Sequence, residues 1–508
     1  MLFAAACCLF SLQAAAQELR IAIANEPSSL DPLFRLVGPD EQIARHFFDP
    51  LVLQDERQRL TPGLALSWHA VDDTTWEFKL RPNVHFSDGS PFTARDVAAS
   101  LERAAGLQNS IGGYGMYTRQ VTRAEIVDDH TIRLHTAAPY PAMPFDLSPV
   151  WIVSHKVARE PTEAFNAGKA VLGTGPFRLV EWVRGERLVL ERNDNYWGRK
   201  PAWKRVVMRF VPNDSARIAA LLAGDVDFIE MVPPSAFETI KSNPALRLVT
   251  GVSARVIYLT LDSYREQTPF AFDARGNPLP GNPLRDRRVR LAISKAIDRQ
   301  AIVERIMQGV AEPAGQLVPG AYFGASTKLR PEPADPEGAR ALLAAAGYPS
   351  GFAITLQVSN DRYINAEKVA IAIGQMLARV GIDTRVDAMP ESIYKSRASK
   401  FEFSFFVQGW YSESAEASNS LRAIVATRDD ARGWGTANRG RYSNPDFDQL
   451  LRRAVGTADD GARSALLAEA MEMAMEDAAV VPLYLDGSTW ACRRDLAYVP
   501  RLDQFTLA

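Results

Sequence analysis

The stretch FSFFVQGWYSESAEASNSL, from Phe403 to Leu421, changes character at its middle. Apolar residues at 403, 405, 406 and 407 suit a buried strand. From Gly409-Trp410 onward the residues turn small and acidic, with no apolar partner positions. The pattern predicts a strand that gives way to a polar loop at that pair. A break of this kind suits the lip of a binding site: glycine lets a ligand backbone approach closely, and tryptophan offers a wide flat wall. An ordinary strand exit with a buried tryptophan reads the same way in isolation, so the rest of the chain has to decide.

The chain has 508 residues, 47% hydrophobic and 23% charged, a globular composition with room for two or three domains. Lys+Arg 58 against Asp+Glu 60 leaves a net charge of -2, which gives no electrostatic case for a nucleic acid or an anionic membrane surface as partner. The apolar run in MLFAAACCLFSLQAAAQELR ends at Ala14-Ala15-Ala16, small residues of the kind that precede signal-peptidase cleavage. Residues 1–16 read as a signal peptide and Gln17 as the mature start, although no Lys or Arg precedes the run. The run is too short to span a bilayer. Cys7 and Cys8 lie too near the start for a lipoprotein box. Without residues 1–16 only Cys492 remains, so no intramolecular disulfide is expected.

Leu19 to Ile23 alternates as a strand, and Asn25-Glu26-Pro27-Ser28-Ser29-Leu30-Asp31-Pro32 is a polar turn. Residues 40–53 read as a helix and Thr75 to Arg81 as a strand. Thr93 is placed to cap a helix over 94–104. Helix 214–223 would carry Ile218, Leu221 and Leu222 on one face, with a strand over 225–231. Further helices are expected over 285–308, 335–346, 365–380 and 459–478, with Gly381 closing the third before a strand over 382–388. The methionines of the last helix read as core filling. Thr268 to Pro283, rich in Pro and Gly, is the clearest linker.

The segments SSLDP, DPLV, LTPGLALSW and TWEFKLRPNVHFSDGSPFTARDV stand in the order found in the solute-binding proteins of peptide and nickel ABC importers (solute-binding protein family 5), which the chain resembles. The likeness continues through Gly173-Thr174-Gly175-Pro176-Phe177, Arg192 to Trp197, Arg217 to Asp227, Val289 to Asp298 and Arg441 to Asp448. It runs from about residue 18 to the C-terminus. The resemblance implies an α/β, two-lobed periplasmic-binding-protein fold of class II, of the large three-domain peptide-binding type. Domain I would comprise 17–50, 177–264 and 483–508, domain II 51–176, and domain III 265–482. The chain would cross between lobes near 262–270 and 480–484. The protein would be periplasmic and monomeric, and would deliver its solute to a membrane permease served by a cytoplasmic ATPase.

Catalysis finds no support in the residues. The six histidines fall in the first third; His130 and His135 match no zinc spacing. Gly112-Gly113-Tyr114-Gly115 lacks the lysine of a phosphate loop. No cofactor or metal site is expected. A secreted hydrolase and an export-side chaperone are the competing classes.

By resemblance, an extended ligand lies in the cleft and is held largely through its backbone. Gly409-Trp410-Tyr411 would follow it, Asn25, Glu26, Pro27 and Ser28 would face it from the first lobe, and Tyr258 and Thr260 would flank it. Tyr484 would stand at the late crossing, and Tyr114 or Tyr117 would close the domain II side. Each of these tyrosines also reads as core with a satisfied hydroxyl. Peptide-binding members commonly read Gly-Trp-x-Asp, whose carboxylate neutralises the ligand's ammonium. Here Ser412 stands at that position, with Glu413 or Glu416 as substitutes if the loop is reshaped. Arg422 could clamp a carboxylate or phosphate, or pair with Glu416. The expected solute is a peptide or modified peptide, with an opine-like, sugar-phosphate-like or nickel-chelate solute as alternatives.

Overall fold

Two long strands organise the molecule: Leu246–Leu261 and Val481–Arg493. A computed structural model describes residues 18–107 and 113–508; the expected signal peptide at 1–16 lies outside the described residues, as does Gly112. Both strands are rich in β-branched and aromatic residues, which suits a pleated surface packed on both faces. They pair antiparallel from Leu246↔Arg493 to Leu259↔Val481, with irregularities between Val252 and Val256 and between Ile257 and Tyr258. Such interruptions bend and twist a strand locally.

The pair sits in the middle of a 12-stranded sheet among the described residues. On one side follow Phe228–Glu230, Glu18–Ile23, Arg205–Phe210, Arg187–Arg192 and Phe177–Val183; on the other, Phe405–Tyr411, Phe352–Ser359 and Ala271–Phe272, with Ile382–Met389 also on Phe352–Ser359. Glu18–Ile23 runs parallel to Arg205–Phe210 and Phe228–Glu230, and Phe352–Ser359 parallel to Ile382–Met389 and Phe405–Tyr411. Parallel neighbours need crossovers. Helix Ala366–Ala378 supplies one, ahead of the left-handed Gly381 and the strand Ile382–Met389, close to expectation.

The first lobe is built on a core that joins Ile21 and Leu190 to Phe78, Phe92 and Trp151. This core covers a four-stranded sheet of Ala65–Asp72, Thr75–Leu80, Thr131–Thr136 and Val121–Asp128. Thr93 caps helix Ala94–Gly106 in a reciprocal box with Asp96. The second lobe has two cores on opposite faces of its strands, one around Ile257, Leu259, Leu356 and Ile373, the other around Val256, Leu421, Phe447 and Met471.

Several elements differ from the sequence pattern, each for a local reason. The helix expected over 40–53 is Gly38–Phe47; Phe48 is extended, and Val52–Gln54 is a strand beyond Pro50. The residue before a proline disfavours helix. The helix expected over 285–308 breaks after Arg287–Ala296, because Ile297 turns extended and Asp298 accepts from the N–H of Ala301 to cap a new turn. Helix Asp214–Ala223 matches its expected span, but Leu222 is 44% exposed while Arg217 is buried. Arg217 donates to the carbonyls of Val211, Pro212, Glu230 and Met231, which satisfies the guanidinium and ties the helix to the segment after Phe228–Glu230. The strand expected over 225–231 is confined to Phe228–Glu230.

Candidate functional site

The strand that opens the decisive stretch is Phe405–Tyr411, so Gly409, Trp410 and Tyr411 belong to the strand rather than to the loop. They pair with Ile257, Val256 and Arg255. A Cβ on Gly409 would meet the Tyr363 ring at 2.8 Å and Ile257 at 2.9 Å. The glycine therefore admits a neighbouring tyrosine rather than open space for a ligand backbone. Trp410 Nε1 donates to Asn419 Oδ1 at 2.9 Å, and the ring packs on the core around Val256. The Tyr411 hydroxyl accepts from Gln58 of the first lobe.

The loop that follows sorts its acids. Ser412 is 1% exposed and donates to the Glu416 carbonyl at 3.0 Å, turned into its own loop. Glu416 pairs with buried Arg463 at 2.7 Å. Arg422 does not pair with Glu416; it reaches Asp146 of the first lobe at 3.2 Å, where the Tyr140 hydroxyl also donates. Arg422 is thus committed to a carboxylate within the protein. Glu413 is the acid left at the lobe junction. Its Oε2 accepts from Tyr117 at 3.1 Å, and its carbonyl accepts from Gln54 Nε2 at 2.5 Å. Burial pushes its carboxyl up to about 7, against the pull of the Tyr117 hydrogen bond and the Arg255 charge. Glu41, in helix Gly38–Phe47, is also held well above the usual carboxylate range, by burial and then by Glu413.

The other expected residues scatter. Asn25 faces the cleft. Glu26 accepts from the Gly185 N–H, Pro27 is buried, and Ser28 donates to Asp40 through backbone and hydroxyl. Tyr117 stands between the lobes, donating to Glu413 and accepting from Asn419; Tyr114 is buried in the first core and accepts from Trp151. Thr260 donates to Gln408 within the sheet. Tyr258 and Tyr484 are 1% exposed and lie in the two different second-lobe cores. Neither hydroxyl has a partner among the described residues, and neither residue lines the cavity.

That cavity, about 110 Å³, lies where the lobes meet, among Asn25, Gln42, Arg255, Arg362, Asp486 and Asp503. Arg255 is half-buried, and its Nε donates to Gln504 at 3.1 Å. Burial lowers the affinity of Arg255 for its proton, and the neighbouring Arg362 charge lowers it further. Neither arginine forms an ion pair among the described residues. Burial lifts Asp486 to about 6, opposed by Arg255. The Ser488 hydroxyl at this wall is buried without a partner among the described residues. Two guanidinium groups in one cavity wall, neither in an ion pair among the described residues, are a seat for an anion. Outside that lining, the raised carboxyls of Glu413 and Glu41 at the lobe junction are a seat for a cation.

Arg255 and Asp486 carried a legible signal, each a charge beside apolar residues within a strand. Arg362 did not; it stands in a polar loop, and only the fold brings it to the cavity. Among the described residues no three His, Cys, Asp or Glu side chains cluster as metal ligands would, and His135 pairs with Glu125 at 2.8 Å on the surface hairpin.

Comparison with known proteins agrees with this architecture. The family model for bacterial extracellular solute-binding proteins, family 5 Middle, matches residues 59–432. The glutathione-binding protein GsiB of Pectobacterium atrosepticum is 30% identical over 476 residues, 91% of this chain and 88% of that protein. The periplasmic murein peptide-binding protein MppA of Escherichia coli is 28% identical over 92% of this chain and 87% of its own length. Among solved structures, the ABC transporter-associated periplasmic binding protein DppA of Helicobacter pylori, in complex with the peptide STSA, superposes with a TM-score of 0.78 at 26% identity, covering 96% of this chain and 97% of that one. With a two-lobed α/β architecture, a polar cavity at the lobe junction and these matches over most of its length, the chain belongs to the bacterial extracellular solute-binding proteins of family 5.

Proposed function

We propose that the protein is the periplasmic receptor of an ABC importer, capturing a peptide or peptide-like solute between its lobes and presenting it to a membrane permease served by a cytoplasmic ATPase. The observation that carries this reading is a lobe-junction cavity lined by Arg255 and Arg362, with Arg255 in electrostatic reach of Glu413 and Glu413 in turn of Glu41. A zwitterion fits it. The ligand's ammonium seats against Glu413, and its carboxylate is held by the two arginines. Glu413 thus does the work that the residue pattern had assigned to position 412. The reading involves no catalytic step.

Closure is a population shift: contacts that only the closed form makes favour it, and a ligand touching both lobes adds to them. The contacts between Tyr117 and Glu413, Gln58 and Tyr411, and Asp146 and Arg422 are of this kind. The chain division of 17–50, 177–264 and 483–508 for domain I, 51–176 for domain II and 265–482 for domain III goes with this reading, and the protein acts as a monomer.

The test is mass spectrometry of the denatured protein after export and purification without chelators. Recovery of stoichiometric peptide supports the reading. Recovery of an opine, a sugar phosphate or nickel in its place transfers the same cleft to that solute.

A further inference from the structure

Away from the cleft, the second lobe carries an open groove of about 550 Å³ that the proposed function does not use. It gathers around the end of strand Leu246–Leu261, where Leu261 stands six residues past Arg255, roughly 20 Å at ~3.3 Å per residue. The Ser263 N–H donates to the Gly440 carbonyl at 2.9 Å, which brings Tyr264 and Arg441 to the same rim. The volume falls within the range of small-molecule sites, about 300–1,000 Å³.

The lining is basic and aromatic. Arg265, Arg397, Lys400 and Arg441 share it with a single acid, Glu402. Arg397 takes that acid at 3.0 Å, and Arg265 pairs with Asp262 at 3.3 Å while donating to the Phe401 carbonyl. Lys400 and Arg441 are left over: neither side chain has a hydrogen bond or an ion pair among the described residues. The Arg441 guanidinium is nevertheless held in place, 4.1 Å from the centre of the Phe401 ring and 5.1 Å from that of Tyr264. Aromatic faces attract the cation without using its N–H donors. Three of the lining residues, Phe270, Phe401 and Arg441, have backbones in the left-handed region, at φ 61°, 58° and 52°. Side chains of this bulk rarely adopt it, and such strain gathers at ligand clamps.

We propose that this groove is a second binding site, separate from the solute cleft, for an organic phosphate. The free Arg441 guanidinium presents its donor fork to the phosphate oxygens, and the Lys400 ammonium adds a point charge. Two uncommitted cations match one phosphate monoester, which carries about −1.5 to −2 charges at neutral pH. A carboxylate would leave one of them uncompensated. The organic part lies on the Tyr264 ring, 59% exposed, and against Pro269 and Phe270. A phosphate monoester reaches the groove either as a free solute or as a lipid headgroup, and both make the same contacts with Arg441 and Lys400.

The test titrates phenyl phosphate into the full chain by calorimetry. One saturable site is expected, with inorganic phosphate about tenfold weaker because it forgoes the ring contacts. Arg441→Gln and, independently, Lys400→Gln should each weaken phenyl phosphate about tenfold, as for the loss of a charge-assisted hydrogen bond. Lys400 has no partner to lose, so Lys400→Gln should keep the wild-type melting temperature. Sedimentation with phosphatidylcholine vesicles containing phosphatidic acid separates the two sources. Co-sedimentation that Lys400→Gln abolishes assigns the groove to a lipid headgroup; phenyl phosphate binding without co-sedimentation assigns it to a free organic phosphate. No binding of phenyl phosphate by the wild type, or an affinity that both variants keep in full, overturns the proposal, the latter by placing the anion elsewhere. Neither result bears on the peptide reading, which concerns a different part of the molecule.

Discussion

At the scale of single residues, the distinction between Ser412 and Glu413 decides what the cleft can hold. Ser412 faces its own loop, so Ser412→Ala is expected to cost about 1 kcal/mol of stability in urea denaturation, as for one lost hydrogen bond, and to leave solute affinity unchanged. Glu413→Gln is expected to weaken binding of a cationic amine at least tenfold by calorimetry, since truncating a desolvated charge pair costs about 2–5 kcal/mol. The same residue sets a pH dependence. With its carboxyl raised to about 7, and Asp486 raised to about 6, the folded protein holds protons that the unfolded chain has released. Both groups therefore favour the fold most below their unfolded values, and that advantage is lost as pH rises through about 6 to 7. His46, buried and depressed to about 4, acts in the opposite sense, but only up to its unfolded value of 6.5. Comparing Glu413→Gln with the wild type isolates the first effect. The wild type should lose stability relative to the variant between pH 5 and 8, measured by thermal unfolding without ligand. An ammonium beside Glu413 draws its proton off, so affinity should rise with pH up to about 7. A sequence pattern could name Glu413 as a candidate but could not choose it, because which side chain of a loop turns outward depends on where strand pairing stops, here at Tyr411 opposite Arg255.

At the scale of elements, legibility followed locality. The box of Thr93 with Asp96 and the left-handed Gly381 are written in a few adjacent residues, and the helices they bound were readable from sequence. The break at Asp298 and the buried Arg217 were not, since both depend on partners supplied by other segments. The strand through Gly409-Trp410 continued for the same reason: its pairing with Ile257 and Val256 overrides the change of composition. Gly409→Ala should drive the Tyr363 ring from its place, where the new Cβ would lie 2.8 Å away. Because Arg362 sits beside Tyr363 on the cavity wall, solute affinity should fall along with stability. The pair Arg463–Glu416, both side chains 1% exposed, anchors helix Asp460–Glu476 to the loop after Trp410. Arg463→Ala leaves a buried carboxylate and is expected to cost about 3–5 kcal/mol; replacing both partners by apolar residues should restore much of that, as read by denaturant midpoint.

At the scale of the whole molecule, the ordered family segments made the two-lobed α/β fold legible, but the site within it was legible only in part. Asn25, Tyr117, Tyr411 and Glu413 were named from sequence and stand at the lobe junction. Tyr258 and Tyr484 were named and lie in separate cores, because consecutive residues of a strand point to opposite faces and a one-residue register decides which. Arg422, read as a ligand clamp, instead ties the second lobe to Asp146 of the first. Asp146→Asn should therefore shift the free protein toward the open form, raising its radius of gyration in solution scattering, and should weaken solute binding without touching the solute. On the proposed reading, the cleft binds a zwitterion between Glu413 and the Arg255/Arg362 pair. The most direct measurement is a thermal-shift screen of peptides, opines and nickel–histidine against the wild type, Glu413→Gln and Arg362→Met. Peptides should raise the melting temperature of the wild type, and each variant should lose the shift. A wild type stabilised by nickel–histidine and by no peptide, or peptide shifts that both variants keep in full, would contradict it.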